Sequence, residues 1–308
     1  MKAVVVREFG GPEALRVVEV PAPKPGPGQV VVTIAAAAVN PVDAFTRFGG
    51  FPDLAELGRD IGIGWDVAGM IAEIGSGVTG FAVGDAVIGI RDRLALSTGA
   101  YAEQIALDAA HIAPAPRGVD LAAAATIPLN GLTAVQGLDL LAAPAGSTVL
   151  VTGAAGALGG YLVELAAGRG LRVVATASAG DEEVVRGWGA EVFIPRTTDL
   201  AGAVRQVFPG GVDAVLDAAV LGMPALDTVR GNGSFVHFGG PVPRGLRGIR
   251  VVAVSIREDG DALRALSTLA GLGRLMLRVA ETLPLADAAK AHELLAGGGL
   301  RGRLVLQP

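Results

Sequence analysis

Short apolar runs, interrupted by glycine- and proline-rich turns, fill the first part of the chain. Leu15–Val20 alternates between apolar and polar residues with a period of two, which is typical of a strand with one buried face. Pro21–Gly28 contains residues that cannot continue a strand and predicts a rigid turn. Residues 45–60 have a mixed pattern that predicts a short helix and a loop. Further strands are predicted at residues 2–7, 29–37, 65–75, within 78–89 and at 99–106. Many short strands joined by turns predict a compact β-barrel-like domain.

After Pro114-Ala-Pro116 the pattern changes to strands that alternate with helices. Two helical segments, with Asp120 placed as a cap, come first. Apolar runs separated mostly by helical segments then predict a doubly wound parallel sheet. The predicted helices are 120–128, 129–141, 157–168, 181–188, 198–207 and 223–230, and the strands are 149–152, 172–178, 191–194, 212–218, 234–239 and 250–256.

The last part of the chain again resembles the first. An amphipathic helix is predicted at 261–275, a second at 285–296 and a strand at 302–306. We expect these elements to fold back onto the β-rich domain. The predicted domains are therefore a β-rich domain of residues 1–118 and 258–308 and a domain of alternating strands and helices of residues 119–257.

A glycine-rich turn lies between the first strand and the first helix of the predicted parallel sheet. Gly153, Gly156 and Gly159 have the spacing G-x-x-G-x-x-G, a variant of the G-x-G-x-x-G pattern. Small residues let a pyrophosphate approach the backbone, and the helix N-terminus supplies N–H groups and a positive dipole end. The same turn is often only a packing device. Its place as the first turn of a six-strand pattern favours dinucleotide binding.

Composition narrows the classes of function. The chain has 308 residues, is 51% hydrophobic and 18% charged, and has a net charge of −5 with no basic run, which does not suit nucleic-acid binding. No uninterrupted apolar run approaches the length of a membrane span. The first residues become charged too soon for a signal peptide, so we expect a cytoplasmic protein. Cysteine is absent, which excludes disulfides, thiolate nucleophiles and cysteine zinc ligands.

Nine short motifs together resemble the zinc-free quinone oxidoreductases, the zeta-crystallin-like branch of the medium-chain dehydrogenase/reductase superfamily. They are Asn40-Pro-Val-Asp43, Asp66-Val-Ala-Gly69, Val83-Gly-Asp-Ala-Val87, Gly99-Ala-Tyr-Ala-Glu103, Gly131-Leu-Thr-Ala134, Gly153–Gly159, Gly189-Ala190, Val212–Asp217 and Gly302–Leu306. The resemblance implies a chaperonin-10-like substrate domain, a Rossmann domain, a reaction cleft between them and a homodimer.

The metal sites of zinc-dependent relatives are missing. Those relatives carry a cysteine where this chain has Asn40, and Gly-His-Glu where it has Gly64-Trp65-Asp66. Only three histidines occur, and no two are close in sequence. A catalytic zinc needs three protein ligands, so we expect no metal.

The second Rossmann strand indicates which nicotinamide cofactor is used. It ends in Thr176-Ala177-Ser178, without the carboxylate that selects NAD, so NADPH is favoured. The family's lysine and tyrosine near this strand are absent, and Arg196, Arg244 or Arg303 is left to supply the charge. The resemblance adds Thr133 on the cofactor side. The predicted cofactor residues are Thr133, Gly153, Ala154, Ala155, Gly156, Ala157, Leu158, Gly159, Thr176, Ala177, Ser178, Ala218, Gly239, Gly240 and Arg303.

On the substrate side the resemblance places Asn40 and Asp43 beside the nicotinamide, although Asn-Pro-x-Asp is also a common turn. Phe51 follows Gly49-Gly50, where some relatives have a tyrosine near the substrate. A phenyl ring can stack on a quinone but cannot donate a proton, which leaves water as the proton source. Trp65 fits either this pocket or the core.

Three other polar residues have structural interpretations. Asp217 at a strand end is expected to cap the next helix. We expect Tyr101 to pack between the domains, and His237 to form a hydrogen bond within the sheet.

The sequence thus predicts an NADPH-dependent reductase of quinones or related conjugated carbonyls. An enoyl or alkenal double-bond reductase, and an NADPH-binding protein with little turnover, stay open as alternatives. A zinc-dependent alcohol dehydrogenase is disfavoured by the missing ligands.

Overall fold

The computed structural model describes residues 1–57, 60–91, 98–196 and 199–308, without the side chains of 55–57. The chain forms two compact units. The first comprises Met1–Leu129, Arg257–Gly273 and Leu277–Pro308, and the second comprises Asn130–Ile256 and Arg274–Met276. The first division lies at Leu129 instead of residue 118, because Asp120 caps a short helix that packs on strands of the first unit.

The N-terminal part of the first unit is mostly β-structure. Its strands are β1 (Lys2–Val6), β2 (Leu15–Glu19), β3 (Gln29–Ala38), β4 (Ile61–Gly62), β5 (Asp66–Ile74), β6 (Ala86–Ile90), β7 (Gln104–Asp108) and β8 (Ile112–Pro114). Its helices are α1 (Pro41–Arg47) and α2 (Leu121–Ala124). Helix α1 begins earlier than the predicted 45–60 segment, since Asn40-Pro-Val-Asp43 forms its N-terminus instead of an isolated turn.

The second unit contains the predicted parallel sheet. Its strands are β9 (Thr148–Thr152), β10 (Arg172–Ala177), β11 (Ala190–Pro195), β12 (Val212–Asp217), β13 (Val229–His237) and β14 (Arg250–Ala253). Its helices are α3 (Pro128–Leu141), which starts in the first unit, then α4 (Ala157–Gly168), α5 (Glu182–Gly187), α6 (Leu200–Val207) and α7 (Met223–Leu226). The strand order β11-β10-β9-β12-β13-β14, with every pairing parallel, is that of a doubly wound dinucleotide-binding sheet.

The C-terminal part returns to the first unit. It contains α8 (Gly260–Gly271), β15 (Val279–Pro284), α9 (Ala288–Gly297) and β16 (Arg303–Gln307). Strand β16 pairs with β3, which joins it to the sheet of order β15-β16-β3-β5-β6-β8. Strands β2, β1 and β4 form a smaller sheet. Helix α8 ends four residues before the predicted 275.

Within the described residues, one helical stretch, Leu121–Leu141, is long and apolar enough to cross a membrane by length and composition. Most of it is buried inside the structure, as expected for the core helix of a soluble protein.

Candidate functional site

The glycine turn of the second unit lies at the carboxyl edge of its sheet. Gly153 follows β9 with a φ of +60°, a conformation that favours glycine. Gly156 closes the turn by donating its N–H to the Gly153 carbonyl at 2.8 Å. Ala154 donates to the carbonyl of Thr176 at 3.0 Å, which ties the turn to the end of β10.

Close packing explains the third glycine. A Cβ at Gly159 would overlap the carbonyl oxygen of Gly153, so the first turn of α4 lies directly against the loop. Gly156 is the N-cap residue and has no side chain with which to cap the helix. The first N–H groups of an α-helix have no intrahelical acceptor. Those of Ala157 and Leu158 therefore suit an anion such as a pyrophosphate.

Two buried polar atoms at the same edge of the sheet also fit a bound nucleotide. The Thr176 hydroxyl near the end of β10 and Nε2 of His237 at the end of β13 have no hydrogen-bond partner within the described part of the chain. Such groups destabilise a fold unless a ligand or water satisfies them. His237 Nδ1 lies 3.1 Å from the carbonyl oxygen of Gly239, so Nδ1 carries a proton, and in the neutral ring Nε2 is an acceptor.

The remaining predicted cofactor residues lie in this unit, except Arg303. Ala177 is buried, whereas Thr133 on α3, Ala155, Ser178 and Ala218 are half-buried. Gly239 and Gly240 are exposed and have positive φ. Asp217 accepts hydrogen bonds from Thr152 Oγ1 and from the N–H groups of Leu221 and Gly222, so it holds the loop before α7.

Arg303 begins β16, the last strand of the first unit, whereas the other predicted cofactor residues belong to the second unit. Its side chain is buried in the first unit, where Nη2 donates to the Val39 carbonyl at 2.8 Å and to Asn40 Oδ1. The same atom lies 3.4 Å from Asp66 Oδ2. These contacts all use Nη2, and the buried Nη1 has no hydrogen-bond partner among the described residues. Arg303 is therefore an internal cation of the first unit, and its prediction as a cofactor-phosphate ligand gains no support from this geometry.

Asn40 is part of the same buried network. Its side-chain N–H groups donate to the Ala38 carbonyl at 3.1 Å and to Asp66 Oδ2 at 2.8 Å. Asp66 also accepts the N–H of Leu129 at 2.6 Å. With Arg303 on its oxygen, the Asn40 amide is held in one orientation.

Asp43 connects this network to two groups that the sequence did not predict there. Its Oδ2 accepts the backbone N–H of Asn40 at 2.7 Å and the hydroxyl of Tyr101 at 3.0 Å. The Tyr101 hydroxyl lies 3.3 Å from Nε2 of His292. Tyr101 is therefore a core residue of the first unit. No local pattern links Tyr101 to His292, which are 191 positions apart.

Burial sets the protonation of this cluster. Desolvation raises the pKa of Asp43 from 3.8 to about 7, with a contribution from the Asp66 charge. Burial, aided by the positive charge of Arg47, lowers the pKa of His292 from 6.5 to about 4. At neutral pH His292 is thus uncharged and Asp43 is close to its midpoint.

Aromatic side chains lie on and after α1. Phe51 is half-buried and packs edge-to-face on Phe45, with ring centroids 5.1 Å apart and an interplanar angle of 86°. Phe45 and Phe48 are exposed. Sequence reasoning named Phe51 and missed its partner. Trp65 is buried, although its Nε1 has no hydrogen-bond partner among the described residues.

Comparison with known proteins identifies the family. Residues 26–117 match the alcohol dehydrogenase GroES-like domain, and residues 188–306 match a domain described as zinc-binding dehydrogenase. A quinone oxidoreductase from Lama guanicoe is 31% identical over 99% of this chain and 97% of its own length. This chain belongs to the quinone oxidoreductase family of the medium-chain dehydrogenase/reductase superfamily.

Two further relatives show the range of this family. An NADPH-dependent alkenal/one oxidoreductase of Arabidopsis thaliana chloroplasts is 30% identical over all of this chain and 80% of that protein. The structure of mycobacterial Rv1454c complexed with NADPH is 32% identical, covers both chains fully and has a TM-score of 0.85. Family membership makes the chain a pyridine-nucleotide-binding oxidoreductase.

The domain family matched by residues 188–306 is described as zinc-binding, but the side chains of this protein do not fit a zinc ion. The chain has no cysteine. Across the described ranges, no group of three or more His, Asp or Glu side chains converges as a metal site would require. Asn40 and Asp66 are instead bound to the guanidinium of Arg303.

Proposed function

We propose that the protein is an NADPH-dependent reductase that transfers a hydride to quinones or related conjugated carbonyls without a metal. The observation that carries this proposal is the carboxyl edge of the second unit. A glycine turn leads into α4 there, and β10 ends without a carboxylate that would repel a 2′-phosphate. The relatives named for quinone and alkenal/one reduction support the substrate class.

The nicotinamide supplies the hydride when bound, and the protein supplies position and polarity. The turn Gly153–Gly159 and the first N–H groups of α4 hold the pyrophosphate. Thr176 and His237 offer polar atoms to the rest of the nucleotide. Asn40 is fixed by Arg303 and Asp66, so any contact it makes uses a preset amide orientation.

The aromatic pair Phe45–Phe51 favours a flat, apolar substrate. Aromatic rings stack on conjugated carbonyl compounds, and neither phenyl ring can donate a proton. The hydroquinone anion formed by hydride transfer therefore takes its proton from water. A quinone tolerates this, because its product is protonated on oxygen.

The test follows NADPH oxidation at 340 nm with 9,10-phenanthrenequinone and, in parallel, with a 2-alkenal and an enone. Turnover of the quinone with a preference for NADPH over NADH supports the proposal. Turnover of the alkenal alone would replace it with a double-bond reductase, which the Arabidopsis relative favours. Tight NADPH binding without turnover of any of these compounds would leave a binding protein and overturn the proposed activity.

A homodimer and a cytoplasmic location belong to the same proposal. Light scattering of the purified protein tests the dimer directly.

A further inference from the structure

We propose that Arg196 binds the 2′-phosphate of NADPH and thereby determines which nicotinamide nucleotide the protein prefers. The inference rests on the proposed function and deepens it. Arg303, one of the two other arginines that the sequence offers for this role, is buried in the first unit, where its Nη2 is engaged. The charge that receives the phosphate must come from elsewhere in the second unit.

The backbone of Arg196 lies beside the strand end that faces the ribose. Strand β11 pairs in parallel with β10 and places Pro195 opposite Ala177. Arg196 follows directly and donates its N–H to the Ala177 carbonyl at 2.8 Å. Adjacent strands are about 4.8 Å apart, so Arg196 is one strand spacing from the end of β10. In doubly wound sheets this end sets the choice between NAD and NADP.

The side chain of Arg196 is available for a ligand. It is exposed and forms no hydrogen bond or ion pair with any described residue. Most other arginines of the second unit are engaged, as in the pairs Arg172–Glu191 and Arg230–Asp213. A guanidinium can bind a phosphate through two parallel hydrogen bonds.

Arg244 is exposed and has no such partners among the described residues either, but the strand that precedes it is farther from β10. It follows β13, and the order β10-β9-β12-β13 separates that strand from β10 by three spacings, or about 14 Å. Arg244 is therefore the matched comparison for Arg196.

The acidic residues after β10 oppose the binding of a phosphate less than the sequence alone indicates. Asp181 is buried, and Glu182 forms an ion pair with Arg186 at 2.8 Å. Glu183 stays exposed on the first turn of α5. The half-buried hydroxyl of Ser178 adds a hydrogen-bond donor next to the strand end. The guanidinium of Arg196 is what makes this corner suitable for an anion.

The experiment measures binding by calorimetry, without turnover, with adenosine 2′,5′-bisphosphate and 5′-AMP as probes. The wild-type protein is expected to bind the bisphosphate more tightly. Arg196→Gln should reduce that preference about 10- to 100-fold, as expected for loss of charge-assisted hydrogen bonds. Arg196→Lys should retain most of it, Arg196→Glu should reverse it, and Arg244→Gln should keep it.

The outcomes separate the two proposals. A wild-type preference for the bisphosphate that survives Arg196→Gln and Arg196→Glu would overturn the role of Arg196 and leave NADPH use intact. Equal wild-type binding of the two probes would overturn NADPH preference itself, and the inference with it. Loss of the preference in Arg244→Gln but not in Arg196→Gln would move the phosphate to the loop after β13.

Discussion

Two buried groups of the first unit, Asp43 and His292, depend on pH in opposite directions. Asp43 retains its proton up to about pH 7 in the folded protein, whereas an unfolded aspartate loses it near 3.8. His292 stays neutral down to about pH 4, whereas an unfolded histidine gains a proton near 6.5. Between about pH 4 and pH 6.5, the folded protein binds one proton more at Asp43 and one proton fewer at His292 than the unfolded chain does. Their contributions to the pH dependence of stability therefore nearly cancel.

Removing one of the two groups should expose the contribution of the other. With Asp43→Asn, the free energy of unfolding relative to wild type should rise with pH between about 4 and 7, at up to about 1.4 kcal/mol per pH unit. With His292→Gln, it should fall with pH between about 4 and 6.5 relative to wild type. Urea unfolding at pH 4.5, 5.5, 6.5 and 7.5 measures both slopes. Parallel pH curves for wild type and Asp43→Asn would show that Asp43 titrates normally.

For single residues, the sequence indicated which side chains belong to the candidate site, but not which groups they contact. Asn40 and Asp43 were named from the family resemblance, and Trp65 was left open between the pocket and the core. The contact of Asn40 with Arg303 joins positions 263 apart, and no periodicity or spacing contains that information. The role of Arg303 as a phosphate ligand was accordingly inferred without knowledge of this contact.

Among the elements, the connection from β9 to α4 depends most strongly on small residues. Helix α4 begins at Ala157, where Gly159 contacts the carbonyl of Gly153. The helix ends at Gly168, where a Cβ would meet nothing within 4 Å. Of these two glycines in one helix, Gly159 is therefore required by close packing, whereas Gly168 is not.

This difference predicts opposite effects of the same substitution. Gly159→Ala should destabilise the protein by about 1–3 kcal/mol, because the methyl group displaces the loop, and should weaken NADPH binding at least tenfold. Gly168→Ala should be neutral or stabilising by up to about 1 kcal/mol, since alanine favours helix. Thermal unfolding and NADPH fluorescence titration measure the two quantities. Normal binding by a folded Gly159→Ala protein would contradict close packing at the turn.

Elements were predictable where their pattern is local. The six parallel strands and helix α4 were located from apolar runs and helical spacing, because each is decided within a few residues. The ends of the strands and helices were predicted less accurately. Strand β13 begins at Val229, five residues before the predicted start, because it gains its partners from β12 through an irregular register.

For the whole molecule, Arg303 joins the last strand to residues near the start of the first unit. It is the cation beside the buried carboxylate of Asp66, whose pKa is raised by burial and lowered by the Arg303 charge. The exposed pair Arg7–Asp60 has a similar separation, with 3.0 Å between Nε and Oδ1.

The two ion pairs should differ greatly in stability. Arg303→Met leaves a buried carboxylate without its cation and should lower the free energy of unfolding by about 3–5 kcal/mol. Arg7→Met should cost less than about 1 kcal/mol, because water solvates the exposed partner. Urea unfolding at pH 7 compares them, with Arg303→Lys as the charge-preserving control. Equal losses for Arg303→Met and Arg7→Met would show that the buried cation adds no more stability than the exposed one.

The discontinuity of the first unit has a consequence for synthesis of the chain. Its sheet is completed only when β16 pairs with Ala37 and Ala38 of β3 and Arg303 reaches Asn40. The strands of the second unit, by contrast, end at Ala253. On the ribosome the sheet of the second unit can therefore form before the last strand of the first unit is made. Strands β3, β5, β6, β7 and β8 pair with one another earlier, but the end of β3 that pairs with β16 stays open until residues 303–307 are synthesised. Completion of the first unit thus departs from the usual N-terminal-first order of cotranslational folding.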